Sequence, residues 1–319
     1  MQGIELTPNI ARELNITLVA LWEEGAAEVV PQDMGPGLET DLSDMFYAAP
    51  SESTTNVYTF VAKSFEMRKR PAGTDERVID AIDLYEARLT NEDVYKTIGV
   101  RLNDWNDDKI GRYSAVFYQL GKASALSLPR MREDAIRQAK TTIHDLDGVP
   151  LLSTQHPRRP GTSGNNWSNL LTQAAGLTFD NFAAAWRAMV TFPDEDGKAA
   201  GSLPTHIVVT PRNIGPALDI VTNEYPSTLQ GGRNPWFGRG LKIKVVPNLD
   251  DLDEWGLVDN RWPKEKAFVE QVREPIQLRS ITDPSSPYVL LGRQLIFSND
   301  GRQATGFGHP SRIIWSKKS

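Results

Sequence analysis

The stretch that most constrains the fold is IDLYEARLTNEDVYKTIGVRL, residues 82–102. In its first part Ile82 and Leu84 alternate with acidic residues, and in its second part alternate residues from Val94 to Leu102 share one face of a strand. Residues 90–93 predict a turn between the two strands. A two-stranded ribbon with so few apolar residues is only marginally stable in water, so we expect it to dock on a neighbouring molecule.

Before this ribbon, the sequence predicts an amphipathic helix followed by an extended arm. Thr7 suits a helix N-cap and Pro8 the first helical position. Apolar residues then recur at helical spacing, and we expect the helix to end near Gly25. Residues 30–53 are rich in turn formers, including glycine and proline, which favours an extended arm rather than a core element.

After the ribbon, the sequence predicts the longest helix of the chain, at about residues 109–140. Pro129 is expected to kink this helix or divide it in two. Its apolar face comprises Tyr113, Val116, Phe117, Leu120, Met131, Ala135 and Ile136. Thr178 is predicted to cap another helix, with apolar positions at Phe179, Phe182, Ala183, Trp186, Met189 and Val190.

The C-terminal half alternates short strands with helices, which is typical of an α+β protein. We predict a buried strand at residues 206–210 and a helix at 212–223. A strand at 241–246 is predicted to present Lys242 and Lys244 outward. Further strands are predicted near residues 255–259, 267–272, 288–297 and 312–315.

Composition excludes several classes of function. The 319 residues are enough for one large core or two smaller ones. The absence of cysteine excludes disulfides, thiolate metal sites and cysteine nucleophiles. The net charge of −6 argues against a protein that coats DNA with its whole surface. We expect no signal peptide, because the first apolar stretch, residues 16–22, has no basic start and runs into Glu23 and Glu24. We expect no membrane span, because no apolar run reaches roughly 18 residues.

Candidate catalytic and ligand-binding residues are few. The chain has four histidines, and only the string His144-Asp145-Leu146-Asp147 groups ligand types locally. That string predicts a turn, where aspartate is favoured for backbone reasons, so we expect no metal site. Residues 301–308 lack the dinucleotide fingerprint and the phosphate-loop lysine, and the chain has no Gly-x-Ser-x-Gly elbow. We therefore expect no cofactor and no enzymatic activity.

Several strings, in order along nearly the whole chain, resemble the major head protein of Mu-like phages, a branch of the Hong Kong 97-like capsid fold. The most specific is DGVPLLSTQHP, residues 147–157, after the long helix. The others lie at residues 7–25, 50–58, 204–213, 234–238, 245–247, 255–257 and 306–314. The chain departs from that family at residues 67–73, where the family usually carries a tryptophan, so contacts of the loop tip are not transferred.

The resemblance implies a phage major capsid protein, a structural subunit that self-assembles into an icosahedral head shell around the genome. It also implies four parts within one α+β chain. They are an N-terminal arm at residues 1–50, an extended β-hairpin loop at 51–104, a peripheral domain with a long spine helix at 105–177 and 288–319, and an axial domain at 178–287.

In such a shell, we expect the loop to contact adjacent subunits, with charges setting register and apolar side chains supplying buried area. The candidate inter-subunit contact residues are Asp75, Arg77, Ile79, Ile82, Leu84, Arg88, Leu89 and Trp22. The alternative for each charge is a solvated face, since exposed ion pairs contribute only about 0 to 1 kcal/mol. Arg68-Lys69-Arg70 is interpreted as a solvated loop and not as a DNA site.

The implied partners are those of a phage head. We expect a homo-oligomer of pentamers and hexamers, assembled in the bacterial host cytoplasm with a separate scaffold, a portal and a maturation protease, and an optional decoration protein. The virion capsid would enclose double-stranded DNA without sequence-specific binding and without a membrane. No acceptor asparagine or catalytic glutamate can be placed beside Lys63, Lys69 or Lys96, so a noncovalent shell is predicted.

Two other classes of protein stay open on the sequence alone. The first is an encapsulin-like nanocompartment shell with the same fold, although the sequence holds no recognisable cargo-binding signature. The second is a soluble enzyme of unknown chemistry. Whether the purified protein forms particles distinguishes the two kinds of shell protein from a soluble enzyme.

Overall fold

The computed structural model of the chain describes residues 8–29, 38–61, 84–106, 111–158, 164–171, 176–194, 196–226, 229, 232–249 and 251–316. Within these residues the helices are α1 (Pro8–Ala27), α2 (Leu102–Asn106), α3 (Arg112–Ala125), α4 (Ser127–Gln138), α5 (Phe179–Val190), α6 (Ile214–Val221) and α7 (Pro287–Leu290). The strands are β1 (Leu38–Glu39), β2 (Phe46–Ala49), β3 (Thr55–Val61), β4 (Leu84–Thr90), β5 (Glu92–Arg101), β6 (Leu170–Leu171), β7 (His206–Val209), β8 (Lys242–Val245), β9 (Trp255–Val258), β10 (Phe268–Ile281), β11 (Gln294–Phe307) and β12 (Ile313–Ser316).

A six-stranded mixed sheet has the order β1-β8-β7-β9-β12-β6. Its strand β7 is buried along its whole length, as the apolar run at residues 206–210 predicted. Helices α5 and α6 cover one face, where Phe182 and Ile207 belong to one core. The predicted cap of α5 is confirmed, because the Thr178 side chain accepts a hydrogen bond from the Asn181 amide at 3.3 Å.

A four-stranded sheet has the order β2-β10-β11-β5. Helix α3 packs on it, and the rings of Phe117 and Phe297 meet edge to face with centroids 4.6 Å apart. Helix α1 contributes Leu18 to the same core. The face predicted for β5 is confirmed in part, since Val100 is buried and Ile98 is half-buried.

The predicted long helix is divided, as its proline indicated. α3 ends at Ala125 and α4 begins at Ser127, so that Pro129 lies in the first turn of α4, where a missing N–H costs no helical hydrogen bond. α1 ends at Ala27, two residues beyond the predicted Gly25. Its backbone runs unusually close to that of α3, and a Cβ atom on Gly25 would lie 2.0 Å from the Tyr118 carbonyl oxygen.

The segment 38–49 was expected to be an extended arm without core residues, and this expectation was wrong. β1 adds to the six-stranded sheet beside β8, and β2 adds to the four-stranded sheet beside β10. Between them, Leu42, Met45 and Phe46 are buried in a core that both sheets and α4 share. Leu38 joins the core under α5 and α6 instead, so the segment contributes to both cores.

The outward orientation predicted for Lys244 is also wrong. Lys242 is exposed as predicted, but Lys244 is only 2% exposed. The cause is non-local: the segment 38–45 covers the face of β8 that the alternating pattern assigned to solvent.

The pairing predicted for the ribbon needs a third correction. β4 and β5 do not pair with each other; β4 pairs antiparallel with β3, and β5 pairs antiparallel with β11. Only Asn91 separates β4 from β5, and one residue leaves the two strands without a hairpin turn. The two-stranded ribbon of this chain is therefore β3–β4.

Two boundaries differ from those expected. Residues 288–297 were predicted as one strand, but Pro287 begins the short helix α7 and β11 starts only at Gln294. β10, expected within the axial part, pairs with β11 in the four-stranded sheet, whereas the C-terminal β12 lies in the six-stranded sheet. None of the helices in the described part of the chain is long and apolar enough to cross a membrane.

Candidate assembly surfaces

The β3–β4 ribbon is fixed at its base by one buried side chain of the four-stranded sheet. Gln271 of β10 is 1% exposed. Its Oε1 atom accepts a hydrogen bond from Asn56 Nδ2 at 3.0 Å and another from the Tyr58 hydroxyl, both on β3. Its Nε2 atom donates to the Leu89 carbonyl oxygen of β4 at 3.1 Å. One amide group therefore holds both strands of the ribbon.

A second set of contacts fixes the point where the ribbon joins β5. The Asn91 amide donates to the Thr54 carbonyl oxygen at 2.8 Å, and Asn91 Nδ2 donates to Ser51 Oγ and to the Ser53 carbonyl oxygen, each at 2.9 Å. Arg273 Nη1 of β10 donates to the Ser51 carbonyl oxygen at 2.9 Å. The base of the ribbon is therefore held by hydrogen bonds between polar groups.

The two faces of β4 differ in exposure. Ala87 is buried and Leu89 is half-buried on the face toward the sheet, where a Cβ atom on Gly306 would come within 2.9 Å of the Leu89 Cδ1 atom. Glu86 and Arg88 are exposed on the other face, and on β3 Val57 is 49% exposed. The ribbon therefore presents a charged face and an exposed apolar side chain to its surroundings.

The structure places only some of the candidate contact residues. Asp75, Arg77, Ile79 and Ile82 lie outside the described residues, and for Leu84 the backbone in β4 is described but the side chain is not. Arg88 and Leu89 lie on opposite faces of the ribbon. Trp22 packs within its own chain, against the core under α3, and its Nε1 atom donates to Ser124 Oγ at 3.2 Å.

A buried cluster of charges, which the sequence reading missed, joins the segment 38–45 to the six-stranded sheet. Lys244 Nζ lies 2.5 Å from Glu39 Oε2 and 2.9 Å from Asp44 Oδ2, and it donates to the Asp41 carbonyl oxygen at 2.7 Å. His206 Nε2 lies 3.0 Å from the same Asp44 carboxylate oxygen. The alternation of Lys242 and Lys244 gave no signal of this burial, because the covering segment is about 200 residues away in sequence.

The charges of this cluster shift the pKa of Asp44. Burial alone would raise that pKa, but the contacts with His206 and Lys244 outweigh burial and lower it from 3.8 to about 2. The Lys244 hydrogen bond likewise holds the pKa of Glu39 below its ordinary value. Asp44 is therefore ionised over the whole neutral and mildly acidic range.

The same segment is tied to the four-stranded sheet. Arg132 of α4 donates two hydrogen bonds to the Glu270 carboxylate, at 2.6 and 3.1 Å, and its Nη1 atom lies 3.6 Å from Asp41 Oδ1. Lys266 donates to the Asp44 carbonyl oxygen, and burial lowers the pKa of Lys266. Residues 39–44 thus contact Lys244 of the six-stranded sheet on one side, and Arg132 of α4 and Lys266, just before β10, on the other.

The histidines have structural partners. His156 Nδ1 lies 2.6 Å from Asp147 Oδ2, so the two ends of the string 147–157 pair with each other. His144 is buried, and burial lowers its pKa. No group of three or more His, Asp or Glu side chains is placed to hold a metal ion in the described ranges. Residues 301–307 belong to β11 and form no phosphate loop.

The fold described above is similar to that of solved capsid chains. The mature capsid of bacteriophage PhiM1 has a similar chain, with a TM-score of 0.56 and 14% identity, covering 91% of both chains. The capsid of bacteriophage JBD30 gives a TM-score of 0.53 at 11% identity and covers 90% of this chain. This chain spans 65% of the JBD30 chain. The predicted α+β, Hong Kong 97-like capsid fold is confirmed.

Sequence comparison identifies the family. The family model described as Mu-like prophage major head subunit gpT matches residues 39–176 and 167–249. The major capsid protein of Escherichia phage Mu is 22% identical over 253 residues, covering 56% of this chain and 82% of the Mu protein. The chain belongs to the Mu-like major head subunit family and is the major capsid protein of a tailed phage.

The nanocompartment alternative has weaker support. A virus-like particle from Pyrococcus furiosus has a similar chain, with a TM-score of 0.50 at 11% identity, covering 95% of this chain and 98% of that one. At this level of identity, the similarity concerns the fold and carries no information about function.

Proposed function

We propose that this capsid protein closes into its head shell as pentamers and hexamers, with the β3–β4 ribbon of each copy lying across an adjacent copy. The observation that supports this proposal most directly is the attachment of the ribbon through Gln271 and Asn91 near its base. A two-stranded ribbon is marginal in water, and contact with another copy would bury Val57, which is 49% exposed.

Symmetry makes weak contacts sufficient for such a shell. A heterologous contact repeats around every five-fold and six-fold position, so that modest energies multiply over the several neighbours of each copy. In this proposal the loop residues Asp75, Arg77, Ile79, Ile82 and Leu84 join Arg88 in contacts between copies. Leu89 and Trp22 pack against their own chain and are left out of these contacts. The shell is noncovalent.

The division into an arm, a loop, a peripheral domain and an axial domain is kept as part of the proposal. The four-stranded sheet with α3 and α4 corresponds to the peripheral domain, and the six-stranded sheet with α5 and α6 corresponds to the axial domain. The loop is reduced to residues 51–91, because β5 belongs to the four-stranded sheet. The arm is reduced to the region before β1, because residues 38–49 belong to the body.

The proposed partners follow from the role of a head subunit. A separate scaffold, a portal and a maturation protease take part in assembly in the bacterial cytoplasm, with a decoration protein as an optional addition. The shell encloses double-stranded DNA without reading its sequence, in keeping with the net charge of −6. The chain itself catalyses no reaction.

Assembly of the purified protein tests the proposal. The 35.5 kDa chain is expressed in bacteria with and without its scaffold, then followed by sedimentation velocity and electron microscopy. We expect closed particles of uniform diameter. A stable monomer at high concentration under every assembly condition would contradict the proposal.

A further inference from the structure

The strand β5 forms one edge of the four-stranded sheet. It pairs with β11 through ten successive residues without a bulge, and among the described residues no strand pairs with its other side. A long free edge presents unpaired backbone N–H and C=O groups and is a template for an added strand. The free side of β5 can therefore accept a strand of another molecule.

The pairing with β11 determines which backbone groups of β5 point to the free side. Next to the last pair of the ladder, the Leu102 amide donates to the Arg293 carbonyl oxygen at 2.9 Å, so even-numbered positions form the hydrogen-bonded pairs. Hydrogen-bonded and non-hydrogen-bonded pairs alternate in an antiparallel ladder. The odd-numbered residues of β5 therefore direct their N–H and C=O groups to the free side. They are Asp93, Tyr95, Thr97, Gly99 and Arg101.

The side chains of these odd-numbered residues share the exposed face of the sheet. All of these residues are exposed, Tyr95 at 72% and the Asp93 side chain at 76%. The opposite face of β5 packs toward α3, where Val100 is buried. Val116 of α3, which the sequence predicted to face the core, is 41% exposed in a groove between α3 and β5, so α3 does not close over β5.

We infer that β5 pairs antiparallel with β5 of a second copy, about a two-fold axis at Thr97. In this register Asp93 lies opposite Arg101 of the second copy, so charges of opposite sign meet at both ends of the pair. Tyr95 lies opposite Gly99 of the second copy, and an aromatic ring there covers a glycine. The outward-directed N–H and C=O groups of both strands gain backbone partners.

The neighbouring registers are less favourable. An axis at Lys96 would set the Lys96 side chains of the two copies opposite each other, where like charges repel, and would leave Arg101 beyond the paired residues. An axis at Ile98 would leave Asp93 beyond the paired residues. The axis at Thr97 is therefore the one that pairs the charges at both ends of the strand.

A pair of this kind is isologous, because the same surface of both copies takes part. Contacts around five-fold and six-fold axes are heterologous, so the β5 pair would join copies that belong to different rings of the proposed shell. The four-stranded sheets of the two copies would form one continuous sheet across the two-fold axis. The inference rests on the proposed shell only for its place in the particle, and it does not depend on where the β3–β4 ribbon lies.

Disulfide formation tests the pairing and its register. The chain contains no cysteine, so Thr97→Cys gives one unique thiol. Facing residues of a hydrogen-bonded pair have Cα atoms about 5.5 Å apart, so more than about a third of the Thr97→Cys chains should become covalent dimers under mild oxidation. Tyr95→Cys is the matched control, because its two Cα atoms would lie about 13 Å apart along the strands, and its dimer yield should be at least about fivefold lower. Non-reducing gels of particles and of unassembled subunits measure both yields.

Removal of one backbone donor tests the contribution of the pair to assembly. Thr97→Pro deletes an outward-directed N–H group that the ladder with β11 does not use, so the subunit should keep its circular dichroism spectrum. Particle yield should fall by about fivefold or more, because the loss is repeated at every pair. Thr97→Val keeps the N–H group and should assemble like the parent.

The outcomes separate this inference from the proposed shell. Particles of Thr97→Cys protein without covalent dimers, or with no more dimers than Tyr95→Cys gives, would overturn the pairing and leave the shell intact. Selective Thr97→Cys dimers from a chain that never forms particles would support the pairing and contradict the shell. The absence of both dimers and particles would overturn both.

Discussion

Lys244 Nζ of β8 lies 2.9 Å from Asp44 Oδ2, and through this contact a segment near the N-terminus is fixed across the body of the protein. Lys244 is 2% exposed, whereas Asp44 is 36% exposed. The Asp44 carboxylate therefore remains partly hydrated, whereas the Lys244 ammonium group is almost fully dehydrated. A buried ammonium group needs paired acceptors, and Glu39, Asp41 and Asp44 provide them.

Replacement of Lys244 should destabilise the fold. Lys244→Met removes the shared cation and leaves Glu39 with only the exposed Lys242 and Asp44 with only His206 nearby. We expect this change to cost about 2 to 3 kcal/mol, less than the loss of a fully buried pair, because both carboxylates reach solvent. Urea unfolding followed by circular dichroism measures the loss. Lys242→Met, two residues away and 52% exposed, should cost less than about 1 kcal/mol. Equal losses for the two variants would show that burial of Lys244 is unimportant.

The Asp44 carboxylate should make stability depend on pH in the acidic range. Its folded pKa of about 2 is below the ordinary 3.8, so its contribution is complete above pH 3.8 and is lost as the pH falls toward 2. Asp44→Asn removes this contribution at all pH values. The difference in unfolding free energy between parent and variant should therefore shrink as the pH is lowered through this window. A difference that stays constant from neutral pH to pH 2 would contradict the assignment.

Gln271 should control the mobility of the ribbon. Gln271→Ala removes the hydrogen bonds to Asn56, Tyr58 and Leu89, and we expect amide hydrogen exchange in β3 and β4 to become about 5 to 10 times faster, equivalent to about 1 kcal/mol. Exchange measured by mass spectrometry on unassembled subunits gives this ratio. Gln277→Ala changes an exposed glutamine on the same strand and should leave the ribbon unchanged. Equal exchange in parent and Gln271→Ala protein would remove Gln271 as the anchor.

The close approach of α1 and α3 should depend on glycine. A Cβ atom on Gly121 would lie 2.0 Å from the Trp22 carbonyl oxygen, so Gly121→Ala should displace α1 and destabilise the protein by about 1 to 3 kcal/mol. Gly215→Ala, in α6 with no atom within 4 Å of the added Cβ, should instead be neutral or stabilise by up to about 1 kcal/mol. Thermal unfolding of both variants makes the comparison. A neutral Gly121→Ala variant would mean that the two helices do not pack this closely.

The sequence predicted features that depend on local chemistry. The N-cap of α5 can be predicted because the Thr178 hydroxyl directly precedes a helical pattern. The division of the spine helix can be predicted from Pro129 alone. The burial of β7 follows from an unbroken apolar run. Each of these features is encoded within one or two turns of chain, where propensity and spacing decide the outcome.

The features that sequence reasoning missed depend on distant pairing. The alternation at 241–246 is compatible with an exposed face, and only contact with residues 39–44 buries Lys244. Similarly, β4 has an apolar and polar pattern that suits either β3 or β5 as partner, and the single residue between β4 and β5 excludes a hairpin only once the strand bounds are known. An apolar groove between β5 and α3, lined by Ile98 and Val116, was also missed, because it forms between elements that share no sequence motif.

The central claim is that the ribbon gains its burial from another copy of the chain, and a cryo-electron microscopy map of the assembled particle tests it most directly. We predict that the β3–β4 ribbon, beyond its base at Gln271 and Asn91, lies across the surface of an adjacent subunit and buries Val57 there. A map in which the whole ribbon of every copy rests on its own body, with no other copy in contact, would contradict the account.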